Sequence, residues 1–380
     1  MPVLEQNTSF LRNILLFSSL FFILTTIGHA KNLNFDVTGS VTTAYDDNIT
    51  YVDKNRLEDF ETNLETGFIL MQQGEKHQIN IKGDVTEQIF ASHSNLDNTS
   101  EDLNLTLQEE LTQHDRLALV DILTHSDSPL TFEDAFGRTT GRYSSLNNQN
   151  GISYTHDFTK RLSAEMHYGE ATTDYSQKNL TNSSFQQVGG TINYTHDSAD
   201  IFNATYDYIR RSFEHGFTAT TNSIAGGIRR YLTRQFYTDL SAGWDIIYNS
   251  INGKENIEPH YKAAITDQVD ENTNVSLNFE KSDTTNSYTQ DLFNSWRTSL
   301  NLYRKFSLRL SGNANIFYGQ GNYNNLNVSD QLVGMQSQLT YAINKKTNLQ
   351  LGYQLTDSIS NTSTNAFRKN YIYLSVTFLF

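Results

Sequence analysis

Nucleophilic hydrolysis needs a serine beside a histidine. In this sequence Ser153 with His196 is a conceivable pair across strands, but nothing around either residue selects it. The ten histidines are scattered, and none falls in an H-E-x-x-H array. No Gly-x-Ser-x-Gly elbow occurs. His156-Asp157 and His196-Asp197 sit where turns are expected, and aspartate is favoured in turns for its local backbone hydrogen bonds. No metal-ligand cluster has a recognisable spacing. Asp46, Asp47 and Asp53 could hold calcium in a loop, but the glycine of an EF-hand loop is missing. The expectation is a protein that is not an enzyme and carries no cofactor.

A second set of residues suggests different chemistry. Lys82, Asp84, Glu165, Asp207, Arg211, Arg229, Asp239, Asp245, Lys262, Arg297 and Arg309 occupy the polar positions of period-two runs, as do Tyr231 and Tyr237. Asp36, Glu65 and Glu280 share that pattern. The early members are mainly acidic, and most of the bases come later in the chain. Charges lining a pore set its selectivity, and a transverse field across a lumen would orient polar solutes. The other reading of the same residues is that opposed charges pair and hydrate the wall. Inward tyrosines could stack on sugar rings or simply fill space.

The elements that must position these residues are strands. In the last stretch, KNYIYLSVTFLF, Ile372, Leu374, Val376, Phe378 and Phe380 fall on one side, and Tyr371, Tyr373, Ser375, Thr377 and Leu379 on the other. Successive strand side chains point to opposite faces. The same alternation recurs from Phe35 to Tyr45, Phe60 to Leu70, Phe236 to Tyr248 and Leu308 to Tyr318. Most of these runs are close to the ~9–11 residues of a tilted strand crossing a bilayer. Short turns alternate with long polar segments. This layout predicts an all-β, antiparallel up-and-down transmembrane barrel of about 18 strands, spanning 31–380. An open edge in lipid would leave backbone groups unpaired, so the last strand must pair with the first. Tyr45, Phe60, Phe90, Tyr175, Phe202, Tyr248, Phe293 and Tyr318 lie near strand ends and read as interfacial girdles. ISYTHD and INYTHD, ending at Asp157 and Asp197, read as two hairpins with a common strand end.

Composition agrees with this class. Hydrophobic residues make up 37% and aromatics 12%, too little aliphatic side chain to fill a large soluble sandwich but too aromatic for a disordered chain. A net charge of -14 argues against a nucleic-acid partner. Cysteine is absent, which excludes disulfides and thiol catalysis. Arg12 precedes the apolar run from Ile14 to Ile27, and Gly28-His29-Ala30 offers a small-residue cleavage site. Residues 1–30 therefore read as a secretory signal peptide, too short in its apolar run for a span of ~20 residues. Strand pattern begins within a few residues of Ala30, leaving no room for the plug of a TonB-type transporter.

The loop from His125 to Gln149 is the longest, and it follows about the fifth strand, where general porins fold a constriction loop inward. Glu133, Asp134, Arg138 and Arg142 are its candidate charged residues, although an exposed loop is the alternative. The first strand ends in Tyr45-Asp46-Asp47-Asn48-Ile49. This stretch resembles the family of outer-membrane proteins described as putative beta-barrel porin 2. The terminal Phe380 resembles the signal by which bacterial assembly machinery selects outer-membrane barrels. The resemblance implies an integral protein of the Gram-negative outer membrane, in contact with its lipid, and a porin that passes hydrophilic solutes. Members often accompany exopolysaccharide loci, so an oligo- or polysaccharide solute is expected. The alternatives are a plugged structural or adhesion barrel and, further off, a barrel lipase.

Overall fold

A computed structural model describes residues 33–127, 141–177, 180–214, 218–250, 253, 255–286, 291–323, 327–363 and 365–380. The expected signal peptide, 1–30, and the candidate loop residues Glu133, Asp134 and Arg138 lie outside them. The first nine strands are β1 (Leu33–Asp46), β2 (Asp59–Gln73), β3 (His77–Phe90), β4 (Asn98–Glu110), β5 (Asp115–Ser126), β6 (Ser145–Asp157), β7 (Leu162–Tyr175), β8 (Ser183–Thr195) and β9 (Asp200–Phe213). The other nine are β10 (Thr218–Tyr231), β11 (Phe236–Asn249), β12 (Glu255–Asp270), β13 (Thr273–Asn286), β14 (Asp291–Lys305), β15 (Leu310–Tyr323), β16 (Ser329–Ala342), β17 (Thr347–Ser360) and β18 (Phe367–Leu379).

Every strand pairs antiparallel with its sequence neighbours, and β18 pairs with β1, so the 18-stranded sheet is closed. The seam runs from Thr38 opposite Leu379 to Asp46 opposite Tyr371. At its lower end the Phe380 N–H donates to the Val37 carbonyl at 2.9 Å. Closure satisfies the backbone of both terminal strands, as a barrel in lipid requires. The faces follow the period-two pattern. Phe35, Phe60, Met166, Trp244 and Ile257 are exposed on the outside, while the polar partners between them point inward.

The strands run 12–16 residues, longer than the expected bilayer-crossing length. The surplus lies at the long-loop end, where inward-facing Asp46, Glu61, Phe90, Ile247, Phe317 and Leu332 are buried. That packing needs no membrane and gives no clean alternation of apolar and polar residues. It also corrects three girdle assignments, the first being Tyr175, which shares the inward face of β7 with Glu165 and His167. Phe60, Phe202 and Tyr248 do face out and are exposed, but Phe90 and Phe293 are 2% exposed and share the inward face with Asp84 and Arg297. Being aromatic near a strand end is not enough, because the register decides the face.

The outer wall carries a polar row that alternation does not lead one to expect. Asp121 lies half-way along β5 on the face of Leu119 and Leu123, opposite Leu105 and Asn150. Asn150 is in turn opposite Glu170, which accepts from the Tyr168 hydroxyl at 3.3 Å. A carboxylate on the lipid side opposes insertion, less than a lysine or arginine does. Asp121→Leu is therefore expected to stabilise the folded barrel in bilayers by about 1–2 kcal/mol. Urea titration in lipid, read by tryptophan emission and heat-modifiable gel mobility, checks this.

Candidate functional site in the barrel lumen

The inward faces of the strands divide into two levels. Towards the short turns the lumen is polar and open. Arg229 near that end, and Lys82, Lys262 and Arg297 closer to mid-height, point inward and keep about half of their side-chain surface exposed. The carboxylates beside them are on the same or neighbouring strands. Lys82 lies 3.7 Å from Asp84, and the Arg229 Nε donates to Asp239 at 2.6 Å. Glu280 accepts from Arg297 at 2.7 Å and lies 3.4 Å from Lys262. At the rim, Arg116 makes a two-pronged pair with Asp157 at 2.8 and 3.0 Å. Most of the sequence-predicted lumen charges thus pair across adjacent strands and hydrate the wall. An acidic strip remains on the early strands, where Glu65, Asp84 and Asp102 follow one another on β2, β3 and β4 with Lys82 as the nearby cation.

Tyr231 and Tyr237 also face inward, at the short-turn end of the β10–β11 hairpin. Their ring centroids are 5.3 Å apart, and the Arg229 guanidinium covers the Tyr237 ring at 5.3 Å. These rings already pack against protein groups. Arg309 is a correction. It precedes β15 and lies exposed in the β14–β15 turn, so it does not line the lumen. Alternation carries this strand two residues too far, because Leu308 continues the apolar pattern into a turn. Glu165, Asp207, Arg211 and Asp245 lie on the inward face of their strands.

Ser153 does not meet His196, which sits in the β8–β9 turn. The residue opposite Ser153 is His167. His167 Nε2 lies 2.7 Å from Asp207, two strands away. The bond passes over Gly189, where a Cβ would overlap the Asp207 carboxylate. Glycine is needed here for a close approach. The ISYTHD and INYTHD ends also differ in role. Asp157 holds Arg116, whereas Asp197 accepts from the N–H groups of Ala199 and Asp200 at 2.7 and 2.9 Å. Those two backbone donors hold the turn residue Asp197 below the usual carboxylate range.

The long-loop level is closed in by side chains. Phe317, Leu332 and Phe367 form one buried cluster, with Tyr51 packed against it. Tyr51 belongs to the segment between β1 and β2, and this segment folds inward. Asn48 and Ile49 are buried, and the Ile49 N–H donates to Leu57 at 2.9 Å. Tyr51 has φ of 55°, a left-handed conformation uncommon for a bulky residue. Its ring packs edge-on to Phe367 at 5.5 Å and takes the Lys369 ammonium on its face at 4.0 Å.

The Tyr45–Ile49 motif holds this arrangement to the seam. Asp46, 1% exposed at its side chain, pairs with Lys369 at 2.6 Å and also accepts from the Asn48 N–H at 2.9 Å. Asp47 accepts from the Asn370 backbone and side-chain amides, both at 2.6 Å. The Asn48 amide donates to the carbonyls of Val52 and Arg368 and accepts from the Val52 N–H. Each of these three polar residues therefore ties the first strand, or the loop after it, to β18. The calcium reading fails on the same ground. Asp46 and Asp47 are engaged by Lys369 and Asn370, and Asp53 lies beside Arg56.

A hydrogen-bonded chain continues along the inner wall. Tyr371 donates to Glu61 at 2.6 Å, Gln88 donates to Glu61 at 2.8 Å, and Arg142 donates to Gln88 at 2.8 Å. The Arg142 guanidinium also covers the Phe90 ring at 4.9 Å. Arg142, from the predicted constriction loop, is thus bound to the lumen wall. Sequence reasoning misses Asp46, Glu61, Tyr51 and Lys369 as site residues. One signal could have found the latch: with Phe380 paired near Val37, counting back along two antiparallel strands brings Lys369 to the Asp46 end.

The fold is that of solved outer-membrane barrels. OccK2 (OpdF) from Pseudomonas aeruginosa shares 10% identity over 92% of this chain and 98% of its own, with a TM-score of 0.50. The F5-1 variant of the FrpB iron transporter from Neisseria meningitidis shares 8% identity over 93% of this chain and 83% of its own, with a TM-score of 0.50. The chain spans 63% of the length of the F3-3 variant of FrpB, at 8% identity and a TM-score of 0.48 over 87% of this chain. No curated protein matches. Residues 248–380, from the end of β11 to the seam strand that holds Lys369 and Asn370, match the family described as putative beta-barrel porin 2, the family that the Tyr45–Ile49 motif resembles.

Proposed function

We propose that this chain is an integral channel of the Gram-negative outer membrane that passes hydrophilic solutes, with oligo- or polysaccharide export as the finer reading. The observation that carries it is the closed barrel whose lumen, below the buried long-loop level, is lined by exposed, inward-facing charges. Paired charges hydrate the wall without a single strong site, so solutes enter and leave. OccK2 is known in complex with glucuronate. The chain's contacts are membrane lipid outside and the assembly machinery at Phe380 during insertion. A second reading, a plugged structural or adhesion barrel, is favoured by the buried cluster at the long-loop level. The two are reconciled if the tucked β1–β2 segment is a constriction in a conducting pore.

Planar-bilayer recording of refolded 31–380 tests this. Steady single-channel current, interrupted briefly by added oligosaccharide, is the expected result. Current without any sugar-dependent interruption removes the saccharide reading and leaves a general porin.

A further inference from the structure

The geometry points to a seat for one anionic glycerophospholipid on the outer wall of β14–β18, towards the short-turn end. A groove of about 540 Å³ opens there, lined by Leu302, Ala314, Leu339, Leu351 and Ile372. Register places these side chains on the outward face, Leu302 opposite Ala314 and Leu339 opposite Leu351. Its floor is low because small residues form it. A Cβ on Gly312 would come within 2.9 Å of Leu339 and 3.0 Å of Phe306, so these two side chains close over the glycine.

The mouth of the groove is basic. Arg304 is opposite Gly312 on the outward face, with its guanidinium 6.0 Å from the Phe306 ring. The β14–β15 turn adds Arg309, and the β16–β17 turn adds Lys345 and Lys346. Neither turn contains an acidic residue, in a chain of net charge -14. The anions near this mouth come from an adjoining element: Asp270 at the end of β12, whose charge acts on Arg304, and Glu271 next to it in the β12–β13 turn. Both turns carry apolar side chains at their tips. Leu308 is 91% exposed, Phe306 54% and Ile343 45%. Apolar turn tips beside four cations match a membrane interface better than bulk water. An acyl chain along Leu302, Leu339 and Leu351 brings a phosphate to the level of Arg304. In outer-membrane topology short turns face the periplasm, so the ligand is an inner-leaflet lipid.

The inference rests on the barrel lying in a membrane and is independent of conduction. Its test is native mass spectrometry of the full folded barrel in detergent, with phosphatidylglycerol and phosphatidylcholine added in equal amounts. Two variants are compared with wild type, each first shown to keep heat-modifiable mobility. One fills the groove, Ala314→Phe. The other neutralises the mouth, Arg304→Gln with Arg309→Gln, Lys345→Gln and Lys346→Gln. The wild type is expected to retain one phosphatidylglycerol with a preference of about tenfold or more. Both variants should lose that preference. Equal retention of the two lipids by wild type overturns the proposal. So does a preference lost only in the charge variant, because that is attraction to a basic surface without a seat. Binding of acidic peptides in place of lipid would also overturn it.

Discussion

Lys369→Ala is expected to destabilise the folded barrel by about 3–5 kcal/mol, because it leaves the Asp46 carboxylate buried without its cation. The loss has further parts. The ammonium also covers Tyr51, whose left-handed backbone depends on contacts with Phe367 and Lys369. The seam is where a barrel has most to lose, since strands joined only through closure must find each other across the whole sequence. The double variant Asp46→Asn with Lys369→Met removes both charges and should recover most of the stability. Equilibrium unfolding in lipid and the fraction of heat-modifiable species report on both proteins. Equal stability of wild type and Lys369→Ala would mean that solvent reaches the pair and that the motif has some other role.

Shortening the β1–β2 connection, with residues 48–57 replaced by a two-residue Gly-Ser link, is expected to raise single-channel conductance several-fold. Conductance follows the narrowest polar cross-section, and Ile49 and Tyr51 occupy the long-loop level beside Phe317, Leu332 and Phe367. The lumen below that level stays lined by the same exposed charges, so ion preference should change less than current. Asp46 and Lys369 remain in the shortened chain, which keeps the seam pair. A milder variant, Tyr51→Gly, suits the positive φ and removes the ring, so it widens the passage while relieving the backbone. Its current should fall between the other two.

Much of this fold is legible in the sequence, for a physical reason. Lipid demands apolar side chains on one face of every spanning strand, so the period-two pattern is written into each of them. Closure then follows from unsatisfied edges, and the alternation alone places Phe35, Ile372 and Phe380 on the outer face. The long-loop level is different. There both strand faces meet protein or water, the solvent no longer dictates a pattern, and Phe90 and Phe293 read as girdle residues although they are buried inside. Arg309 is misplaced because Leu308 continues an apolar rhythm into a turn tip. The lumen charges are legible as a class. Which of them pair is not, because a pair such as Arg229 with Asp239 depends on hairpin register that a one-residue slip would undo. The neighbour of Ser153 is hidden for the same reason: it is His167, not the His196 that is conceivable from the sequence. The Tyr45–Ile49 motif is visible as a signature but not as a latch, since its partners lie more than three hundred residues away.

Single-channel current through refolded 31–380, compared with the form shortened at 48–57, tests the central claim most directly. A conducting wild type with small unitary steps, and a shortened form whose steps are several-fold larger at similar ion preference, is the predicted result. Silence from both, in protein shown to be folded by its heat-modifiable mobility, would contradict the account and identify a barrel that does not conduct.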